Sequence, residues 1–301
     1  MRTKTTILKT LSALVIAGVI FITSCKKDSN SSTTSGNNTS AQNLTTSGAT
    51  SDDAYGDAFN VALQAGSDNN LNSITAESGG VSTNSVRTVN GINGYYCANV
   101  TLKTTAGTFP DTLIVDFGTG CTSSGDGIAR SGSITYIFSG KLGTTGTVIS
   151  ATFDNYTVNG YKLGGSYSIT NTSPIGGYSL TTQVQNGTIT NPNDSSYSFY
   201  GTKTLSLNLP IDTTFLNNTF NITGGYTISN TNTGESLTAT VNTPLLKKLS
   251  CQYIVSGVIG FAYTKGSAIS VNGTLDYGDG TCDNTAVVTI GTYVKTVTLP
   301  L

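Results

Sequence analysis

The sequence predicts an all-β fold: an antiparallel meander of about a dozen strands forming a large curved sheet, a sandwich or a soluble barrel, with one short N-terminal helix. Three observations carry that expectation. From about residue 95 onward, apolar residues recur at every second position, the period of a strand with one buried face. Gly, Ser, Thr and Asn dominate the composition beside 15 Tyr, which suits strands and tight turns. No helical crossover pattern separates the alternating runs, so neighbouring strands should pair as antiparallel hairpins.

The chain opens Met1-Arg2-Thr3-Lys4, with Lys9 close behind, and residues 11–22 form an uncharged, mostly apolar run. A basic start and a short apolar core are the pattern of a secretory signal peptide; a membrane-spanning helix needs ~20 apolar residues. Ile22-Thr23-Ser24-Cys25 resembles the lipobox of bacterial lipoproteins. That resemblance implies removal of residues 1–24, a diacylglycerol in thioether linkage to Cys25, and acylation of the new amino group with a palmitate-type chain. The expected partner of Cys25 is thus the lipid bilayer, since stable anchoring takes more than one acyl chain. Lys26 occupies the place where enteric bacteria use aspartate for inner-membrane retention, and Lys26-Lys27-Asp28 is similar to surface-export signals of Bacteroidota lipoproteins. The expected location is the outer membrane, facing the cell surface or the periplasm.

Residues 26–50 are Ser, Thr, Asn and Gly with little that is apolar, so residues 25–50 read as the lipidated cysteine followed by a flexible tether. A helix is expected over residues 51–66: Ser51 can cap it, Asp52 and Asp53 suit its N-terminus, and Gly66 can stop it. Ala58, Val61, Ala62 and Ala65 repeat at helical spacing, and Tyr55, Phe59 and Leu63 form a second i, i+4 series. This helix should pack against the β domain expected over residues 67–301.

Within that domain, Ile134, Tyr136 and Phe138 alternate with polar residues, as do Leu205, Leu207 and Leu209. The longest run is Tyr253, Val255, Gly257, Ile259, Phe261 and Tyr263. Asn159-Gly160, Asn186-Gly187 and Asn272-Gly273 read as hairpin turns. With Cys25 lipidated, four cysteines remain, an even number that in an exported chain means two disulfides. Cys97 opens one apparent strand and Cys121 follows the next; Cys251 and Cys282 stand in the same relation. The start of the first strand of a hairpin lies beside the end of the second, so the expected pairs are Cys97–Cys121 and Cys251–Cys282.

The absence of His removes the commonest general base and the commonest transition-metal ligand, and with them Ser-His-Asp hydrolases and HExxH metalloproteases. Near-neutral net charge without Lys/Arg clusters gives no footprint for nucleic acid. No cofactor is implied. Asp276, Asp279 and Asp283 in a Gly-rich turn are a candidate Ca²⁺ set, though they lack the alternate spacing and closing Glu of an EF-hand, and a plain hairpin turn is the stronger reading. Asp116, Asp154, Asp276 and Asp279 are the carboxylates available for glycosidase-type chemistry. Tyr156, Tyr161, Tyr178, Tyr197 and Tyr200, read as surface residues, could stack on sugars or anchor a protein partner, though cross-strand packing is the more ordinary use of each.

Two short echoes recur. Residues 116–121 (DFGTGC) are answered by 276–282 (DYGDGTC), and residues 164–171 (GGSYSITN) by 224–230 (GGYTISN), which shared strand-and-turn chemistry explains better than duplication. The chain resembles Bacteroidota lipoproteins carrying a DFGxGC block, a TFDNYxVNG block and an LDYGDGTCDN block, here residues 116–121, 152–160 and 275–284. The resemblance implies a β-rich envelope protein and brings no activity with it. The resulting expectation is a non-enzymatic adhesion, binding or envelope-structural module. The alternatives are a carrier of an apolar ligand and, behind it, a carboxylate-dependent hydrolase.

Overall fold

A computed structural model describes residues 29–71, 85–92, 96–105, 108–208, 218–248, 250–267 and 269–299. The signal segment, Cys25 and the Lys26-Lys27-Asp28 stretch lie outside the described residues. One helix, α1 (Ser29–Asp68), precedes β1 (Ser85–Ile92), β2 (Tyr96–Thr105), β3 (Thr108–Asp116), β4 (Cys121–Thr122) and β5 (Ala129–Phe138). Then follow β6 (Val148–Val158), β7 (Tyr161–Asn171), β8 (Ser179–Thr190), β9 (Ser196–Leu207) and β10 (Thr219–Asn230). The chain closes with β11 (Glu235–Lys248), β12 (Ile254–Lys265), β13 (Ile269–Asp279), β14 (Thr285–Ile290) and β15 (Tyr293–Thr298).

All strands belong to one antiparallel sheet in which each pairs with its sequence neighbours; only the two-residue β4 stands off the path, paired to β5. Among the described residues the edge strands β1 and β15 do not pair, so the sheet is an open, curved meander and neither a sandwich nor a closed barrel. The helix packs against β1, β3, β7 and each of β9 to β15, which places it inside the curl. Its buried positions run from Ala41 to Gly66. That stretch is about 39 Å long at 1.5 Å per residue. Eleven or twelve strand residues span about 36–40 Å, so the strands cover the same length.

The flexible tether expected over residues 26–50 is therefore corrected: residues 29–50 belong to a 40-residue helix, and Ser51 lies in its interior rather than at its cap. Composition misled because these residues bury little apolar area each, yet the surrounding sheet encloses them. Ala41, Leu44, Gly48, Ser51, Tyr55, Ala58, Ala62 and Ala65 are all buried and repeat at alternating steps of three and four. The buried hydroxyls are satisfied by back-bonding to the preceding turn: Thr45 donates to the Ala41 carbonyl at 2.8 Å and Ser51 to the Ser47 carbonyl at 2.7 Å. Small side chains on the helix let large ones on the sheet approach, and Gly48 lies directly under the Tyr226 ring. The helix is not apolar enough to cross a membrane.

Aromatic residues fill the space around α1. Tyr55 stacks on Phe199 at 5.3 Å and meets Phe153 edge-on at 5.9 Å, while Phe199 stacks on Tyr226 and Phe153 on Tyr156. The sheet bends around this belt through bulges in β5, β6, β7, β8 and β10. At Gly132 (φ +71) and Gly165 (φ +89) the backbone is left-handed, and a Cβ would lie 2.3–2.4 Å from the carbonyl oxygens of Asn155 and Asn186, so only glycine fits. Bulging frees carbonyls for other partners: the Tyr55 hydroxyl donates to those of Gly164 (2.7 Å) and Thr188 (3.2 Å).

Of the three Asn-Gly pairs, Asn159-Gly160 forms the β6–β7 turn as expected. Asn186-Gly187 instead makes the β8 bulge, with Asn186 at φ 49°, and Asn272-Gly273 lies inside β13, where Gly273 leaves room for the Phe261 ring. Both Gly-Gly pairs of the second echo sit at bulges, followed in each case by a buried Tyr and Ile.

Both expected disulfides are present, Cys97–Cys121 and Cys251–Cys282. One ties Cys97 in β2 to Cys121 of β4, shortly after β3, and the other ties Cys251, just before β12, to Cys282, just after β13, so the bridges lie near the two free edges of the sheet. They lie at opposite rims, because β3 ends at the rim carrying the β6–β7 turn and β13 ends at the other. Closing such loops contributes roughly 2–4 kcal/mol each.

Candidate functional site

Three carboxylates on α1, Asp52, Asp53 and Asp57, enter the curl, and they form two ionic groups. In the first, all five N–H donors of the fully buried Arg130 are engaged. Nε and one terminal nitrogen donate to the two oxygens of Asp57 at 2.9 and 2.5 Å; the rest reach Ser123 at 3.0 Å and Asp126 at 3.2 and 2.6 Å. Tyr156 adds its hydroxyl to Asp57 at 2.5 Å, and the guanidinium lies 5.8 Å from the Phe117 ring centroid. Burial opposes the Arg130 charge, but the bonds and charge of Asp57 outweigh it and hold the guanidinium protonated. Burial, then the Asp57 charge, push the Tyr156 hydroxyl well above its ordinary range. This group bolts the middle of α1 to β5, β6 and the β4–β5 loop.

The second group holds Asp52 and Asp53 with Lys203 of β9 and Lys247 of β11. Lys203 pairs with Asp52. Burial, with repulsion from Asp52, raises the Asp53 carboxyl from 3.8 to about 7, while Lys203 and Lys247 pull it the other way. Burial lowers Lys247 from 10.5 to about 8, against the attraction of Asp53 and Asp57. Its ammonium donates to the Gln252 carbonyl at 2.5 Å. The Tyr226 hydroxyl is buried without a hydrogen-bond partner among the described residues. Sequence reasoning did not single out these lysines. The available signal was phase: Lys203 follows Phe199 and Gly201 at even steps, and Lys247 follows Leu245, so both occupy inward positions.

The Ca²⁺ candidates do not gather. Asp276 accepts from the Gly278 N–H at 2.9 Å, Asp279 from Thr281 and Asp283 from Thr285, each carboxylate capping its own turn. Among the described residues no group of three His, Cys, Asp or Glu is placed to hold a metal ion. Asp116 makes the same turn as Asp276, accepting from Gly118 at 2.8 Å, which gives the first sequence echo its physical basis. Asp116 and Asp154 are both exposed and stand on either side of Ser133, on β3 and β6, whereas Asp276 is exposed at the opposite rim. Of the five tyrosines expected at the surface, Tyr156 is fully buried instead, because it serves Asp57. Tyr200 is 51% exposed; Tyr161, Tyr178 and Tyr197 are half-buried.

Tyr161 and Tyr197 line a cleft of about 570 Å³. Its floor is one face of α1, carrying Gln42, Asn43, Thr46, Ser47, Thr50 and Ser51. One wall is the edge strand β15, through Thr296, Val297 and Thr298. The other is the start of β7, the end of β8 and the start of β9, with Asn191 and Asn193 of the connecting loop. This seam cleft thus lies over α1, between the edge strand β15 and the β7–β9 wall. It is held in shape on both sides: Tyr293 donates to the Gln42 side chain at 2.5 Å, and the Asn191 side chain accepts from the Asn193 and Ser195 N–H groups at 3.0 and 2.9 Å. No charged side chain lines it. Comparison of the chain with protein-family models, with curated proteins and with solved structures found no match.

Proposed function

We propose that this chain is a lipoprotein of the outer membrane, anchored by acyl chains on Cys25, and that it acts as a non-enzymatic binding module through the seam cleft. The observation that carries this reading is the course of α1. The helix is described from Ser29 onward, and among the residues whose burial is described Ala41 is the first buried one. Gln42 and its neighbours, immediately beyond, form the cleft floor. In this reading the acyl chains on Cys25 stand 17 residues before Gln42 of the cleft floor. Two further observations favour binding over the alternatives. The curl is filled by α1 and its aromatic belt, and the cleft is lined mainly by polar side chains. Asp57 is paired with Arg130 and Asp52 with Lys203, and neither carboxylate lines the cleft.

The anchor is tested by labelling cells with a palmitate analogue and fractionating their membranes. The wild-type chain should carry label and sediment with the outer membrane, and Cys25→Ala should lose the label and accumulate as precursor. Normal processing and membrane association of Cys25→Ala would contradict the proposal. Protease shaving of intact cells then tells the cell-surface from the periplasmic orientation.

A further inference from the structure

We infer that the seam cleft takes an uncharged saccharide. This rests on the binding role proposed above and names its ligand class. Apart from Ile189 and Val297, every side chain lining the cleft carries a hydroxyl or an amide, and none carries a charge. Such a lining offers donors and acceptors in numbers that match a polyol, and nothing that would repay the desolvation of an ionic ligand. Tyr161 and Tyr197 stand on adjacent parts of one wall, close enough that the Tyr197 hydroxyl helps, after burial, to raise that of Tyr161. A pyranose has an apolar C–H face and a rim of hydroxyls. Tyrosine rings cover the former, while the amides of Asn43, Asn191 and Asn193 and the hydroxyls of Thr46 and Thr298 can bond the latter.

Size and rigidity agree. The volume falls inside the range of about 300–1,000 Å³ typical of small-molecule sites. The Asn191-centred loop and the Tyr293–Gln42 bond fix the walls before any ligand arrives, which lowers the ordering cost of binding. The competing occupant is an extended peptide added to the free edge of β15. That strand is six residues long, and the opposite wall supplies amides and hydroxyls in place of the side-chain pockets a peptide would need.

The test uses the purified full chain in detergent, applied to an array of neutral gluco-, manno-, galacto- and N-acetylglucosamine oligosaccharides, anionic glycans and random peptides. Retained probes are then titrated calorimetrically. Neutral oligosaccharides should bind, and Tyr161→Ala and Tyr197→Ala should each weaken them about tenfold. Asn193→Ala, in an exposed loop position that leaves the core untouched, should also weaken binding, whereas Tyr200→Ala outside the cleft should not. Capture of only anionic glycans or peptides, sensitive to the same substitutions, would overturn the saccharide inference and leave the binding role standing. Neutral-sugar binding indifferent to all three cleft variants would overturn the site. Failure to retain any probe would overturn both the ligand class and the binding role.

Discussion

Asp53 and Asp57 lie one turn apart on the same helix, inside the same curl of sheet, and their surroundings treat a negative charge in opposite ways. Asp57 meets a planar guanidinium whose two parallel N–H groups match its two oxygens, with a tyrosine hydroxyl on the same carboxylate. Asp53 stands beside another carboxylate, and the cations that attract it are ammonium groups engaged with Asp52 and the Gln252 carbonyl. The difference teaches that burial by itself does not decide the cost of an internal charge. What decides it is whether enough donors converge in fixed geometry, and arginine supplies five where lysine supplies three on a flexible stem. One end of the comparison locks α1 in place. The other holds groups displaced toward their neutral forms.

Substitutions should separate the two regions in order of size. Arg130→Ala leaves Asp57 and Asp126 buried without their cation, and should lower unfolding free energy in urea by roughly 3–5 kcal/mol. Tyr156→Phe removes one hydrogen bond to a charged group and should cost about 1.5–3 kcal/mol. In the second region the sign reverses. The unfolded chain ionises Asp53 near 3.8, whereas the folded chain holds the proton until about 7, so this group's contribution is most favourable below pH 3.8 and is lost as pH rises to about 7. Asp53→Asn should flatten stability against pH across that window and leave the protein more stable than wild type at pH 8. Tyr226→Phe removes a hydroxyl without a described partner and should change stability by less than about 0.5 kcal/mol. A loss at Tyr226 as large as that at Tyr156 would break the comparison.

Much of the β architecture was legible because period-two alternation and cysteine placement report directly on strand faces and hairpin ends. Both disulfide pairs follow from that logic, as does the antiparallel meander. The helix was half legible. Its second half carries Ala58, Val61, Ala62 and Ala65, whose apolar spacing announces a buried face. Its first half uses Gly48, Thr45 and Ser51, residues that read as linker by composition and become core only because a sheet surrounds them. The Asn-Gly pairs at 186 and 272 were misread because a left-handed residue serves a bulge as well as a turn, and a glycine serves a close ring contact as well as either. The cleft was not legible as a site. Tyr161 and Tyr197 stood out as aromatic residues, but the α1 floor and the β15 wall come from segments some 250 residues apart that only the curl brings together.

The floor of the cleft depends on residues 41–50 being core helix. Hydrogen–deuterium exchange of the full chain, read at peptide resolution, tests this most directly. Amides of residues 41–50 should be protected to the same degree as those of residues 54–66, because both stretches are enclosed by the same sheet. Exchange of residues 41–50 at the rate of an unstructured chain, with 54–66 still protected, would restore the tether and remove the floor from the cleft.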